Sequence, residues 1–184
     1  MENKLAFNFF ALNDFTKMEN GNFAVKGLLT TFDNEDSNAN GFVYQAGCYD
    51  DFCKSYFKKN NKFISLDLLH NPYDISHIAG KVTEFNSTEN EVSIVAEVSK
   101  SAVLFNNICG LIEDNVLQGF SDMSFVDKYQ IAANGLIYVE KCSIVSVALV
   151  TMPAVGQSAL EAMNGTKFNF QKFKKENKNT LFNL

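Results

Sequence analysis

Histidine and serine are the two residue types in this chain that could together carry out nucleophilic catalysis. The 184 residues include only two histidines, His70 and His77, so an acid–base step that uses imidazole near neutral pH depends on one of them. A serine hydroxyl is a weak nucleophile and needs a base that usually comes from a distant part of the chain. Ser121 follows Gly119 and Phe120 at the start of a predicted strand, where a small residue lets a substrate backbone approach. Residue types alone thus make Ser121 a candidate nucleophile without choosing between the two histidines.

Ser124 is a second candidate nucleophile in the same segment, QGFSDMSFVD, which covers residues 118–127. Side chains alternate along a strand, so Ser121 and Ser124 point to opposite faces and only one of them can meet a given base. Met123 stands where the G-x-S-x-G motif has its second glycine. The nucleophile elbow of the α/β-hydrolases is therefore absent.

The cysteines do not form a pattern typical of a metal site. Cys48, Cys53, Cys109 and Cys142 lack the close CxxC pairing of structural zinc sites, and only the two histidines could join them. We therefore expect reduced thiols, partly in the core, and predict neither a metal nor another cofactor.

Charge and hydropathy argue against nucleic acid as a partner and against a membrane or secreted location. Lys and Arg number 16 against 21 acidic residues, a formal net charge of -5, so the chain has no overall basic field for binding nucleic acid. No apolar run approaches the ~20 residues that span a bilayer, and the apolar stretch 5–12 is too short and interrupted for a signal peptide. We expect a soluble, cytoplasmic protein that binds neither nucleic acid nor membrane directly.

Hydrophobic periodicity predicts many short strands and two moderate helices. Apolar residues at helical spacing predict helices within 49–57 and 103–117. The predicted strands cover residues 22–32, 42–45, 62–70, 78–85, 92–98 and 118–127, with two more β-rich segments within 136–150. Because the strands come in clusters, a doubly wound sheet is excluded. The expected fold is mainly β with helices (α+β): a single closed or nearly closed β-barrel of about seven strands with helices packed outside.

One domain accounts for most of the chain, as its length suggests. We place the domain at residues 1–165, with a short helix at 158–163 and a cap at Gly165. Residues 166–184 are rich in Lys and Phe without clear periodicity, which predicts a flexible C-terminal tail.

Several motifs, in order, resemble the prohead maturation proteases of tailed phages between about residues 22 and 160. VKGLLTTFDNEDSNANG is similar to the family's early strand and acidic loop, and LDLLHNP followed by HIAGKV to its L-L-x-x-H-D-P-like segment. GFSDMSF is similar to the G-[FLM]-S-I-G-F-like strand, and SVALVTMPA to the closing E-V-S-L-V-T-x-P-A-like signature. The resemblance implies that His70 occupies the catalytic histidine position and Ser121 the nucleophile position. It also implies a fold related to that of herpesvirus assemblin.

The third catalytic position departs from the family pattern. Ser146 stands where the closing signature has its acid, and Asp122 and Met123 replace the residues that usually follow the serine. Ser124 therefore remains an alternative nucleophile. The sequence leaves open which residue orients His70; the candidates are His77, by analogy with the Ser-His-His set of the assemblins, Ser146 itself, and the acids Glu140, Asp127 and Asp67.

The resemblance implies a serine endopeptidase of phage head maturation. Its implied substrates and partners are the phage scaffold protein, the N-terminal extension of the major capsid protein, and the protease itself, with homo-oligomers also compatible. The implied location is the inside of the prohead in the host cytoplasm. The alternative is a catalytically inactive protein that keeps the protease fold as a structural or scaffolding component of the capsid.

Overall fold

The computed structural model describes residues 5–32, 42–58 and 63–151, with side chains described for residues 15–32, 42–55 and 63–151. The predicted acidic loop at 33–41, the helix at 158–163, the domain boundary at 165 and the tail at 166–184 lie outside the described residues. No helix in the described part is long and apolar enough to cross a membrane.

The described residues form mostly β-structure. The strands are β1 (Leu5–Lys17), β2 (Phe23–Thr31), β3 (Phe42–Tyr44), β4 (Ile64–Leu68), β5 (Ile78–Ser87), β6 (Glu91–Val98), β7 (Gly119–Ile131) and β8 (Ile137–Val150). The helices are α1 (Asp50–Phe52), which continues as a π-helix (Cys53–Lys58), a 3-10 turn (Ile75–His77) and α2 (Phe105–Glu113).

These strands form a single eight-stranded sheet in the order β3-β8-β4-β5-β6-β2-β1-β7, with an additional pairing between β7 and β8. Strand β8 has three neighbours, since it runs parallel to both β3 and β4 and antiparallel to β7. Strand β3 pairs with β8 alone among the described strands and so leaves an edge.

The predicted closed or nearly closed barrel of about seven strands with helices packed outside is therefore wrong in that form. A simple barrel gives every strand two neighbours, whereas this sheet branches at β8 and ends at β3. The helical part is also smaller than predicted, because the apolar stripe at 49–57 forms only three α-helical residues before a π-helix. The mainly β composition is as expected.

The core lies against one face of the sheet. Strand β6 shows the pattern clearly, because its buried residues alternate with half-exposed ones along the whole strand. On the strands around the site, Leu66 of β4, Phe120 of β7, and Val147 and Leu149 of β8 belong to this core. The residues between them in sequence consequently point to the other face.

Gly80 of β5 lies where two backbones approach closely. A Cβ at this position would lie 1.9 Å from the carbonyl oxygen of Glu97 on β6. Gly80 pairs with Leu66 of β4 on one side and Val98 of β6 on the other. Because Gly80 has no side chain, β5 can lie between β4 and β6 and pair with both.

Candidate active site

Three strands place three small or polar residues in one row on the face opposite the core. Ala148 of β8 pairs with Asp67 of β4 on one side and with Ser121 of β7 on the other. Directly paired residues on neighbouring strands project to the same face. Asp67, Ala148 and Ser121 are all fully buried. The row therefore brings a carboxylate and a serine hydroxyl to opposite sides of one alanine methyl group.

His70 reaches this row from a tight turn at the end of β4. Leu69 and His70 both have positive φ, 55° and 59°, a left-handed conformation that costs a non-glycine residue roughly 1–2 kcal/mol. The backbone N–H of Asn71 donates to Asp67 Oδ1 at 3.1 Å, and the N–H of Leu69 donates to the Leu149 carbonyl at 3.4 Å. These two hydrogen bonds stabilise the strained turn at residues 69–70, where the chain leaves the extended conformation of β4.

The turn brings His70 Nε2 within 2.6 Å of Ser121 Oγ. Burial lowers the pKa of His70 from 6.5 to about 4, so the imidazole is neutral at pH 7. A neutral imidazole with its proton on Nδ1 presents a lone pair at Nε2, which can accept the Ser121 hydroxyl proton. The pair thus has the geometry and protonation state of a nucleophile and its general base.

Ser124, the alternative nucleophile, lies on the other face of β7. Its hydroxyl donates to Asp122 Oδ2, the same oxygen to which Tyr49 donates at 3.2 Å. All three side chains are buried. The structure therefore joins Ser121 to His70 and places Ser124 in a separate buried network.

Three of the predicted third members make their contacts elsewhere. His77 Nδ1 lies 3.1 Å from Asp74 Oδ2 and 3.4 Å from Asn71 Nδ2, in the 3-10 turn beyond His70. Glu140 forms an ion pair with Lys128, which holds the pKa of its carboxyl below the usual value. Asp127, on the distal part of β7, accepts a hydrogen bond from Ser143 at 2.6 Å.

Ser146 and Asp67 are the candidates that share a face with Ser121. Ser146 lies two residues before Ala148 on β8 and pairs with Ser65 of β4 and Met123 of β7. Burial raises the pKa of Asp67, while the Ser146 hydroxyl and the backbone N–H groups of Asn71 and His70 lower it. Asp67 Oδ2 and Ser146 Oγ are neighbours on this face, although among the described residues neither atom has a hydrogen-bond partner of normal geometry. Both residues are candidates from the sequence, but no sequence pattern indicates that their side chains lie close together.

The cysteines take no part in this site. Cys48, Cys53, Cys109 and Cys142 are buried and form no disulfide. The described ranges contain no group of three or more His, Cys, Asp or Glu side chains that could hold a metal ion. The chemistry visible at the site is that of a Ser–His pair.

The fold agrees with this type of site. No protein-family model matches the chain, and no curated protein sequence matches it. Among solved structures, the bacteriophage T4 capsid assembly protease, gp21, matches with a TM-score of 0.67 and 16% sequence identity, covering 82% of this chain and 99% of that chain. The chain therefore has the fold of a phage capsid assembly protease, and the predicted resemblance to prohead proteases is confirmed for the fold. The relation to herpesvirus assemblin is not tested by this match and stays a prediction.

Proposed function

We propose that this protein is a serine endopeptidase of phage head maturation, with Ser121 as nucleophile and His70 as general base. The observation that carries the proposal is the 2.6 Å contact between His70 Nε2 and Ser121 Oγ in a chain with the fold of a capsid assembly protease. His70 in the turn after β4 and Ser121 on β7 meet at hydrogen-bond distance, although β4 and β7 do not pair with each other. A strained turn holds one of them there, and such strain is typical of functional sites.

The reaction proceeds in two halves. Ser121 Oγ attacks the peptide carbonyl carbon while its proton moves to His70 Nε2, giving a tetrahedral intermediate. That intermediate collapses as the C–N bond breaks, His70 returns the proton to the leaving amine, and an acyl-enzyme remains. Water then attacks the ester carbonyl, His70 takes the water proton, and the same proton returns to Ser121 Oγ as the acid product leaves. No cofactor is required.

The substrates we propose are the scaffold protein, the N-terminal extension of the major capsid protein, and the protease itself. The location is the interior of the prohead in the host cytoplasm. Confinement there raises the local concentration of substrate, so weak recognition of each cleavage site is sufficient. The T4 protein of the same fold is a capsid assembly protease, which supports a role of this kind.

The test is co-expression of the chain with the scaffold protein and the major capsid protein of the same phage. We expect wild type to shorten both proteins, and Ser121→Ala and His70→Ala each to leave them at full length. An exposed serine, Ser101, provides a matched control, and Ser101→Ala should process like wild type. Processing that survives in both site variants would overturn the assigned pair.

One observation favours a second candidate function. Ser146 occupies the position where the resembled family has an acid, and removing the carboxylate of a Ser-His-Asp triad lowers kcat by roughly 10⁴-fold. The alternative is a catalytically inactive capsid component that keeps the protease fold. This alternative predicts that wild type incorporates into proheads but never shortens either partner.

A further inference from the structure

We propose that Asp67 is the positioning residue that orients His70, so that the carboxylate of the site comes from β4 instead of β8. This inference rests on the proposed Ser121–His70 site. It assigns the third role to a residue that the sequence motifs do not mark. It also gives Ser146 a specific part, as the hydroxyl that stands beside that carboxylate.

The placement of Asp67 supports this role. Asp67 and Ser121 are the two neighbours of Ala148 in one row across β4, β8 and β7, and His70 is three residues beyond Asp67. The small alanine between them leaves space above the sheet for the imidazole that contacts Ser121. Asp67 is fully buried, yet one of its oxygens already holds the turn through the Asn71 N–H. The carboxylate thus anchors the segment that carries the base.

The second oxygen of Asp67 remains for another donor. Asp67 Oδ2 has no hydrogen-bond partner among the described residues, and neither has the Ser146 hydroxyl. Leaving a buried carboxylate oxygen without a hydrogen bond is unfavourable. An interaction between Asp67 Oδ2 and the His70 imidazolium that forms during catalysis explains why this oxygen is kept in a buried site.

Ser146 and Asp67 fit each other as a pair. An acid at position 146 would put two carboxylates on one buried face, since Ser146 lies two residues from Ala148, the pairing partner of Asp67. Like charges at that spacing destabilise each other. A serine avoids the repulsion, and its hydroxyl lowers the pKa of Asp67 against the effect of burial. A serine at position 146 is therefore compatible with a buried carboxylate at position 67 on the same face.

The chemistry requires such a carboxylate. Burial lowers the pKa of His70 to about 4, and an imidazole this weakly basic is a poor proton acceptor at neutral pH. A nearby carboxylate stabilises the imidazolium that forms during attack and holds the ring in the productive tautomer. The other titratable groups near the turn are His77 and Asp74, which pair with each other at 3.1 Å, while Asp122 belongs to the opposite face of β7. Asp67 is the buried acid in the row that also holds Ser121.

The experiment measures the rate at which a fluorophosphonate ester modifies Ser121 as a function of pH. In this reaction the Oγ–P bond forms, the P–F bond breaks, fluoride leaves, and His70 passes the hydroxyl proton to water. Asp67→Asn keeps a carbonyl oxygen for the Asn71 N–H but removes the charge. We expect it to lower the rate roughly 100-fold or more at pH 7. Asp74→Asn is the matched control and should stay within threefold of wild type.

A rescue variant separates positioning from a structural role. Ser146→Asp in the Asp67→Asn background returns a carboxylate to the β8 side, and we expect at least a tenfold recovery of the rate. The His70 ring signals in NMR give an independent readout, because loss of the Asp67 charge should lower the pKa of His70 further. A wild-type protein that does not react with the probe would contradict the proposed function. The His70 titration would still test the role of Asp67 in that case.

Two results would overturn the assignment. One is an Asp67→Asn variant that reacts within threefold of wild type. The other is a variant that loses reactivity while its His70 titration is unchanged and Ser146→Asp restores nothing. The second result would reduce Asp67 to a turn-capping residue.

Discussion

His70 Nε2 lies 2.6 Å from Ser121 Oγ although 51 residues separate them in the chain. Strand β8 lies between the strands that carry them, so the contact depends on a turn that lifts the imidazole across one intervening strand. Two consequences follow. The pair is sensitive to anything that shifts β4 against β7, and its protonation is linked to the stability of the fold.

The first prediction concerns stability at acid pH. Burial gives His70 a pKa of about 4 in the folded chain, against the ordinary value of 6.5 in the unfolded chain, so between these values the unfolded chain binds a proton that the folded chain does not. Stability attributable to His70 is therefore complete above pH 6.5 and falls as pH drops to 4, by up to about 3 kcal/mol.

Chemical denaturation of wild type and His70→Gln at pH 4.5 and 7.5 checks this linkage. The wild-type free energy of unfolding should fall more than that of the variant. The difference between the two proteins isolates His70, because Asp74 and Glu140, with lowered pKa values, also lose stabilisation in acid while Asp67, with a raised value, acts in the opposite sense. Equal losses in both proteins would show that His70 is not buried neutral.

The second prediction concerns the close approach of β5 to β6. Gly80→Ala should lower the free energy of unfolding by about 3 kcal/mol, because the added Cβ meets the Glu97 carbonyl oxygen and backbone cannot move aside as a flexible side chain can. Gly110→Ala is the control in α2, where a Cβ meets nothing within 4 Å and alanine favours the helix by about 1 kcal/mol. Thermal unfolding of both variants should give shifts of opposite sign.

The third prediction separates the two serines of β7. Ser124→Ala removes a hydroxyl that donates to buried Asp122, so it should lower stability by about 1–3 kcal/mol. Its reaction with a fluorophosphonate should nevertheless match that of wild type below the unfolding temperature. A folded Ser124→Ala protein that no longer reacts would transfer the nucleophile role to Ser124.

Local parts of the fold were predictable from the sequence. The strict alternation of β6 and the helical spacing around α2 mark those elements because each buries one face. The Asn71-Pro72 pair indicated a strand end nearby, since proline cannot continue a strand ladder, but β4 ends at Leu68 and His70 lies in the turn that follows instead of in the predicted strand. Both candidate residues could be chosen from motifs, whereas their contact could not be derived from spacing.

The parts that sequence missed depend on long-range pairing. Strand β1 has a weak pattern of its own and extends alongside both β2 and β7. The branching of the sheet at β8, which makes the barrel prediction wrong, arises because β3 and β4 share one edge of the same 14-residue strand. Only that parallel pairing brings Asp67 level with Ala148 and Ser121. No local signal around Asp67 records it.

The most direct test of the central claim is mass spectrometry of the purified protein after treatment with a fluorophosphonate ester at pH 7.5, followed by peptide mapping. We predict one adduct per chain, on the peptide that contains Ser121, and none in Ser121→Ala or His70→Ala. An adduct absent from folded wild type, or present at the same level in Ser121→Ala, would contradict the assignment of Ser121 and His70 as nucleophile and base.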